Sequence, residues 1–341
     1  MSDENRQLLL RERPLGVVTD ECFEMARTAV PQPGDGQILV RTLWLGFEPA
    51  MRGWLNDIRS YTPPVGIGEV MRAWGIGQVV DSRHPDHAVG SLVHGDLGWQ
   101  DYALLDGGDT GIERVPDGIS DPRLMLSVAG LTGLTAYFGM TEVGRPEAGD
   151  VVLVTAAAGA TGSVAAQIAR ALGAGRVIGT AGSPEKRDWV REVAGLDDCL
   201  DHHDPEVRRA IRSAAPEGLN VVFDNVGGSL LDAALFNIAV GARIALCGSI
   251  STGYRPERPE VGIHYYQLLT TRRSRMEGFL VSDHSDRYTE ARQRLLDWVA
   301  DGSIRVEYDV LDGLEHAPEG IRRLFEGKNL GKQLLHVADP G

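Results

Sequence analysis

Residues 151–187 read VVLVTAAAGATGSVAAQIARALGAGRVIGTAGSPEKR and decide the fold. The β-forming run from Val151 to Thr155 leads into a turn of small residues, Ala157 to Gly162. A helical period follows, in which one apolar face is formed by Val164, Ala165, Ile168, Ala169 and Leu172. A second strand from Arg176 to Ala181 completes a βαβ unit.

Small residues at such a turn let a diphosphate approach the backbone, where helix N–H groups and the helix dipole favour negative charge. Ala157 stands at the first position of the usual GxGxxG motif, so the match is to the looser AxGxxG variant. A Gly-rich turn alone is also compatible with an ordinary tight turn. The strand–turn–helix–strand context predicts a dinucleotide site.

The residues after the second strand indicate which cofactor binds. An NAD site usually has Asp or Glu there to bind the ribose 2′-hydroxyl, whereas this strand runs into Ala181 and Gly182. Ser183 is suited to cap a helix that begins at Pro184. Lys186 and Arg187 then lie within reach of a 2′-phosphate, which favours NADP(H). The alternative is a solvated basic pair at a helix start.

The composition of the 341-residue chain is that of a globular protein, with 43% hydrophobic and 24% charged residues. Its formal net charge of −14 argues against nucleic-acid binding, which usually needs a basic face. No stretch approaches the length of a membrane span, and the first residues lack the apolar segment of a signal peptide. Three scattered cysteines do not form a disulfide framework, so we expect a cytoplasmic protein.

The order of patterns along the chain predicts an α/β fold with two parts. Residues 1–126 show short β-like runs broken by Gly, Pro and Asp, which predicts a β-rich domain. Residues 127–300 alternate strands and helices, which predicts a Rossmann, doubly wound parallel sheet. The segment 301–341 returns to short strands, and we expect it to fold back onto the first domain.

Several sequence blocks resemble those of one branch of the medium-chain dehydrogenase/reductase superfamily, the zinc-independent NADPH-dependent alkenal double-bond reductases. The blocks are GLTGLTAYFG (130–139), FDNVGG (223–228), CGSIS (247–251), RMEGFLV (275–281) and GKNLGK (327–332). The resemblance covers nearly the whole chain. It implies that the first domain is GroES-like and binds the substrate, that the second binds NADP(H), and that the protein is a homodimer.

The resemblance also implies site residues. Ala160, Thr161, Gly162 and Ser163 match positions that line the diphosphate, and Lys186, with Gly182 before it, matches the site of the 2′-phosphate. Positions around the ribose and nicotinamide are matched by Asn225, Cys247, Gly248, Ser249, Ile250, Ser251, Phe279, Leu280, Val281 and Asn329. For Asn225 and the glycine pairs, a plain turn remains the alternative.

Two of the implied residues depart from the family pattern. His202 stands where the family has a tyrosine that contacts the 2′-phosphate; a solvent-exposed loop histidine is the alternative. Tyr254 matches the tyrosine that binds the substrate carbonyl, but one extra glycine precedes it, and a surface role is equally compatible. Tyr265 and Tyr266 are competing donors, for which helical packing is the alternative role.

The residues give little support to a metal site. Cys22, Cys199 and Cys247 do not have the Cys and His spacing of zinc alcohol dehydrogenases, and a catalytic zinc needs at least three protein ligands. His84, His87 and His94 are close in sequence, but neighbouring Pro85 and Gly90 predict surface loops. We therefore expect no metal.

These observations predict an NADPH-dependent reductase of the C=C bond in small-molecule enones or enals. A quinone reductase and a non-catalytic NADPH-binding sensor are the alternatives, and zinc-dependent alcohol oxidation is the least supported. At the substrate end, Ala50 replaces the tyrosine of the family motif Asp-Pro-Tyr-Met-Arg, and Thr132 stands at a frequent proline position. Trp44, Trp54, Tyr61 and Trp74 form either an apolar substrate wall or part of the core.

Overall fold

The computed structural model describes residues 4–109, 111–255 and 263–341. Its strands, in chain order, are β1 (Glu4–Leu10), β2 (Phe23–Ala29), β3 (Gln37–Gly46), β4 (Trp74–Ser82), β5 (Leu92–Asp96), β6 (Tyr102–Asp106), β7 (Glu113–Arg114), β8 (Val151–Val154), β9 (Arg176–Ala181), β10 (Asp198–Asp201), β11 (Leu219–Asp224), β12 (Ile238–Leu246), β13 (Arg275–Gly278), β14 (Tyr308–Asp312) and β15 (Lys332–His336).

The α-helices are α1 (Ala50–Trp54), α2 (Leu131–Phe138), α3 (Ala160–Ala171), α4 (Pro184–Glu192), α5 (Val207–Ala214), α6 (Gly228–Phe236), α7 (Leu268–Arg272), α8 (Tyr288–Ala300) and α9 (Ala317–Phe325). In the described part of the chain, no helix combines the length and the apolar character needed to cross a membrane.

The chain forms two compact units. The first contains the described residues of Met1–Leu126, Gly253–Pro256 and Tyr308–Gly341, and the second those of Ser127–Thr252 and Glu257–Glu307. The roles expected of them, substrate binding and NADP(H) binding, stay predictions.

The first unit is rich in β-structure. Its main sheet has the order β14-β15-β3-β4-β5-β7, with β6 also paired to β3, and β1 pairs with β2 in a separate ribbon. The tail contributes β15, which lies antiparallel to β3, and residues 308–341 belong to the first unit. Trp99 and Phe47 are central members of its apolar core.

The second unit is built on a parallel sheet with the order β10-β9-β8-β11-β12-β13. Renumbered from β8, this is the order 3-2-1-4-5-6 of Rossmann folds, so the predicted fold class is confirmed. The strands β8 and β11 lie at the centre; β8 is a continuous apolar run, and Val221–Phe223 of β11 are buried, as expected of strands covered on both faces.

Local signals in residues 151–187 give the predicted elements. The Ser183 side chain accepts a hydrogen bond from the Lys186 backbone N–H (3.3 Å), which caps α4 with Pro184 at its first position. On α3, Val164 and Ile168 are buried as predicted. Leu172 is not: it follows the last helical residue and is 37% exposed, because the chain leaves the helix there for Gly173, whose φ is +97°.

One close backbone approach fixes the start of α2. A Cβ atom built on Gly133 would lie 1.8 Å from the carbonyl oxygen of Val128, well inside van der Waals contact. The Gly133 N–H donates to the Ser127 carbonyl (3.0 Å), which holds the turn against the helix. Only glycine fits this position without a backbone shift.

We therefore expect Gly133→Ala to destabilise the protein by about 1–3 kcal/mol or more through overpacking. Gly53→Ala is the matched control, since Gly53 also lies in a helix but has open space where its Cβ would be. This control should change stability by less than about 1 kcal/mol, in the stabilising direction. Thermal and denaturant unfolding of both variants measure the difference, and equal stabilities would contradict the steric argument.

Candidate functional site

The turn between β8 and α3 presents backbone donors. A Cβ on Gly162 would lie 2.2 Å from the Ala156 carbonyl oxygen, so glycine lets the first turn of α3 pack directly on this peptide. Ala156 itself has a φ of +51°. The first N–H groups of a helix have no intrahelical acceptors and form an anion site. This geometry fits the diphosphate predicted at residues 160–163.

The side chains at this turn point mainly into the protein. Ser163 is buried, and its hydroxyl donates to the Ala160 carbonyl oxygen (3.3 Å). Gly162 has no side chain, while Ala160 and Thr161 are partly exposed. A diphosphate contact of residues 160–163 stays a prediction, for which the backbone N–H groups of the turn are the expected donors.

Beyond β9, Gly182 lies against two histidines. A Cβ built on it would be 2.8 Å from Nε2 of His203 and 3.1 Å from Nε2 of His202. Lys186 is half-buried on the first turn of α4, the helix that starts two residues after Gly182. Gly182 thus lies against His202, and Lys186 acts electrostatically on His202. A contact of these residues with a 2′-phosphate stays a prediction. His203 was missed, although its position next to His202 is a signal in the sequence.

Charged groups surround this loop. Arg187 Nη1 donates to the Gly182 carbonyl oxygen (3.2 Å) and pairs with the Asp201 carboxylate at 2.8 Å, so this arginine holds the loop against β10. Burial lowers the pKa of His202, and the nearby His203 adds to this effect, while Asp201 opposes it. His202 is therefore expected to be neutral at neutral pH.

Asp224, at the end of β11, connects three segments at the carboxyl edge of the sheet. Its buried carboxylate accepts hydrogen bonds from the Thr155 hydroxyl (2.8 Å) and from the backbone N–H groups of Val226 (3.2 Å) and Gly227 (2.9 Å). Its carbonyl oxygen accepts from the backbone of Cys247 (2.8 Å). Burial raises the pKa of Asp224, and these donors counteract the shift. Sequence reasoning missed this residue.

The predicted nicotinamide loops meet beside Asp224. The Asn225 side chain donates to the Thr155 carbonyl oxygen (2.7 Å), and the Asn225 carbonyl accepts from the Ile250 N–H (3.2 Å). Ser251 N–H donates to Val226 (3.1 Å). The segment Cys247–Ser251 therefore packs on the loop after β11. Burial raises the pKa of the Cys247 thiol to about 12, so this thiol stays protonated.

Phe279 to Val281 follow the edge strand β13. The Phe279 ring packs edge-on against Phe223, with centroids 6.3 Å apart. A Cβ on Gly139 would lie 2.5 Å from atoms of both rings, so this glycine makes room for the pair. Leu280 is 41% exposed. The structure gives Phe279 a packing role, and a cofactor contact of residues 279–281 stays a prediction.

Tyr254 and Asn329 belong to the first unit. The Tyr254 backbone carbonyl accepts a hydrogen bond from the Asn56 side chain (2.7 Å), and its ring packs edge-on to Phe325 at 6.3 Å. Tyr254 has a φ of +50°, and the preceding Gly253 has a φ of +66°. Asn329 is buried, and its side-chain amide donates to the Gly331 carbonyl (2.9 Å). Their contacts with substrate and cofactor stay predictions.

A buried arginine fixes the segment that supports Tyr254. Arg52 is 1% exposed, and its guanidinium donates to the Asn56 side-chain oxygen (2.6 Å) and to the carbonyl oxygens of Pro14 (2.9 Å) and Gly16 (3.1 Å). Asn56 in turn donates to Tyr254. Sequence reasoning missed Asn56 because its partner lies 198 positions away.

The competing tyrosines have different surroundings. The Tyr265 hydroxyl accepts a hydrogen bond from Arg208 (3.0 Å), and its ring packs on Phe236, which agrees with a packing role. Tyr266 lies in a turn before α7 and is 64% exposed, so the helical packing expected of it was wrong. Of the four aromatic residues proposed as core or substrate wall, Trp54 is buried, Trp44 and Trp74 are partly buried, and Tyr61 is exposed.

The prediction that His84, His87 and His94 lie in surface loops fits only His84, which lies in a partly buried bend. His94 lies in β5 and stacks on Trp74 with centroids 5.2 Å apart, and His87 is buried with Nε2 3.1 Å from the Gly107 carbonyl oxygen. Residues 4–109, 111–255 and 263–341 contain no group of three or more His, Cys, Asp or Glu side chains arranged to hold a metal ion.

The Asp224 connection generates a stability prediction. Thr155→Val keeps the side-chain volume but removes the donor to Asp224 and the acceptor of the Asn225 N–H (2.8 Å). Since both partners are buried or partly buried, we expect a loss of about 1–3 kcal/mol in the free energy of unfolding. Thr135→Val, which removes only a bond to the carbonyl four residues earlier in α2, is the control. Denaturant titration compares the two, and equal losses would refute the special role of Thr155.

Comparison with known proteins agrees with this geometry. A family profile described as "N-terminal domain of oxidoreductase" matches residues 6–113, and one described as "Zinc-binding dehydrogenase" matches residues 160–300. The NADPH-dependent curcumin reductase of Escherichia coli is 38% identical over 98% of this chain and 97% of its own length. The NADP(+)-dependent 2-alkenal reductase of Nicotiana tabacum is 34% identical over 98% of each chain.

A solved structure extends this similarity to three dimensions. The crystal structure of CurA from Vibrio vulnificus in complex with NADPH superimposes with a TM-score of 0.92 at 37% identity, covering 98% of this chain and 100% of that one. The chain therefore belongs to the medium-chain dehydrogenase/reductase superfamily, in its branch of zinc-independent alkenal double-bond reductases.

Proposed function

We propose that this protein is an NADPH-dependent reductase of the C=C bond of α,β-unsaturated ketones or aldehydes. The observation that carries the proposal is the carboxyl edge of the parallel sheet in the second unit. This edge contains the turn at the start of α3 (the anion-binding turn, residues 156–163), the loop from Gly182 to Arg187 (the basic loop), and the segments that Asp224 binds. Relatives with full-length similarity are named as reductases of curcumin and of 2-alkenals. The protein is thus an oxidoreductase that uses NADP(H).

The residues present fit this cofactor. The first turn of α3, which packs closely on Ala156 at Gly162, would hold a diphosphate, and Lys186 would hold a 2′-phosphate. Asn225 and the segment Cys247–Ser251 would border the ribose and nicotinamide. When bound, reduced nicotinamide supplies a hydride.

The protein must polarise the substrate carbonyl, and the α-carbon must receive a proton. Reduction adds a hydride to the β-carbon of the enone and a proton to the α-carbon, which gives the saturated carbonyl compound. We assign the Tyr254 hydroxyl to the substrate carbonyl oxygen, where a hydrogen bond stabilises the developing enolate without a metal. Asn56 holds the Tyr254 backbone, and Arg52 holds Asn56.

The assignment extends to the organisation of the chain. We propose residues 1–126, with the returning tail 301–341, as the substrate domain and residues 127–300 as the NADP(H) domain. Asn329 of the tail is assigned to the cofactor. The family also leads us to propose a cytoplasmic homodimer, which sedimentation analysis of the purified protein and localisation of a tagged copy would test.

The first experiment measures NADPH oxidation with enones, enals and quinones, with product analysis for each. Saturated ketones or aldehydes, together with a kcat/KM for enones above that for quinones, would support the proposal. A higher kcat/KM for quinones would favour the quinone-reductase alternative. Tight NADPH binding without turnover on the whole panel would favour a sensor.

Lys186→Ala tests the 2′-phosphate assignment. A charge-assisted hydrogen bond to the phosphate contributes about 1.5–3 kcal/mol, so KM for NADPH should rise by about tenfold or more while KM for NADH changes little. Arg191→Ala is the matched control, because Arg191 lies on the same helix but pairs with Asp188. Equal changes for both cofactors would refute the assignment.

Tyr254→Phe tests the carbonyl donor. Removing one hydrogen-bond donor to a developing oxyanion lowers kcat by about 10²–10³ in well-studied enzymes, and we expect the same direction here with NADPH affinity unchanged. Tyr266→Phe, at an exposed tyrosine, is the control. A Tyr254→Phe enzyme with unchanged kcat, when single-turnover kinetics show that chemistry limits the rate, would exclude the hydroxyl.

A further inference from the structure

Two adjacent histidines, which follow β10, pack against Gly182 in the basic loop after β9. The ring centroids of His202 and His203 are 4.3 Å apart. Both Nε2 atoms approach Gly182, at 3.1 Å and 2.8 Å from where a Cβ would be. This glycine begins the loop that leads to Lys186. Lys186, the residue assigned to the 2′-phosphate, also acts electrostatically on His202, so the two side chains lie near each other.

The charged groups around His202 come from two elements. Lys186 and Arg187 belong to α4, while Asp201 and His203 flank His202 at the end of β10. The Asp201 carboxylate accepts the backbone N–H of His203 (2.9 Å) and pairs with Arg187. The carboxylate is thus already matched by one cation. Lys186 also acts on His202, which places a second positive charge near the ring.

The environment of His202 favours a neutral ring until an anion arrives. Its Nδ1 atom is buried and has no hydrogen-bond partner among the described residues, so a proton there would be a buried donor without an acceptor. Burial and the neighbouring cations lower the pKa of His202. A dianion beside Nε2 would reverse this preference, since a nearby opposite charge favours the charged form.

We propose that the His202–His203 pair makes 2′-phosphate recognition pH-dependent, so that discrimination against ligands without this phosphate strengthens as pH falls from about 8 to about 6. The inference rests on the proposed NADP(H) site. A phosphate that favours the protonated form of His202 makes binding take up protons, and by linkage the phosphate then binds more tightly as pH falls. Below about pH 6 a phosphate monoester loses its second charge, which sets the lower limit. The family tyrosine, with a pKa near 10, gives no such dependence.

The test compares 2′,5′-ADP with 5′-AMP by isothermal titration calorimetry between about pH 6 and about pH 8, the range of histidine titration. The two probes differ only in the 2′-phosphate, so their affinity ratio isolates its recognition and needs no turnover. We expect the ratio to fall severalfold as pH rises across this range, within the limit of about tenfold set by one histidine whose pKa rises by about one unit on binding. A ratio above one that does not change with pH would overturn the inference.

Variants identify the titrating groups. In the double variant His202→Gln, His203→Gln we expect a ratio independent of pH, and in His202→Tyr a much reduced slope with the 2′-phosphate preference kept. His316→Gln, at a partly exposed histidine of the first unit, should retain the wild-type slope. Binding of 5′-AMP verifies that each variant keeps its fold. A slope that survives in the double variant would assign the effect to other groups and contradict the proposal.

The outcomes also separate this inference from the proposed function. A pH-dependent ratio without enone reduction would support the histidine pair and contradict the reductase assignment. Equal affinities for the two probes at every pH would contradict both the 2′-phosphate site and the histidine role. Enone reduction with a constant preference for 2′,5′-ADP would retain the reductase and overturn only the pH-dependent recognition.

Discussion

The candidate cofactor edge depends on one buried carboxylate. Asp224 accepts hydrogen bonds from the Thr155 hydroxyl after β8 and from backbone N–H groups after β11, and its carbonyl oxygen accepts from the segment after β12. A buried carboxylate is costly unless its oxygens are satisfied, so these loops must keep their positions to satisfy it. The same hydrogen bonds bring Asn225 and Cys247–Ser251 together. The side chain that positions the loops need not touch any ligand itself.

A second constraint is steric. At Gly133 and Gly162, a single Cβ would overlap a backbone carbonyl oxygen, and at Gly182 it would approach two imidazoles. Each glycine allows a close approach on which an element depends: the start of α2, the anion-binding turn of α3 and the basic loop before α4. The small residues that indicate a nucleotide-binding fold in the sequence are thus required by packing as well as by ligand access.

The basic loop also shows how an acidic protein can bind an anion. The chain has a formal net charge of −14, yet Lys186, Arg187 and two histidines gather around Gly182, with Asp201 matched to Arg187. At short range such a cluster outweighs the average field of the molecule, because solvent and salt screen distant charges more strongly than near ones.

The sequence by itself determined the βαβ unit of residues 151–187, the Ser183 cap and the parallel sheet, because periodicity, turn residues and caps act over a few neighbouring positions. The family resemblance added the expectation that Gly182, Lys186 and His202 belong to one site. Only the tertiary structure decided the burial of His87 and His94, the exposure of Leu172, the approach of His203 to Gly182 and the role of Asp224. Each of these depends on where the chain turns or which distant segment packs against it. Asp224 forms hydrogen bonds with residues as far apart in the sequence as Thr155 and Gly248. A local sequence pattern does not contain information on such long-range contacts.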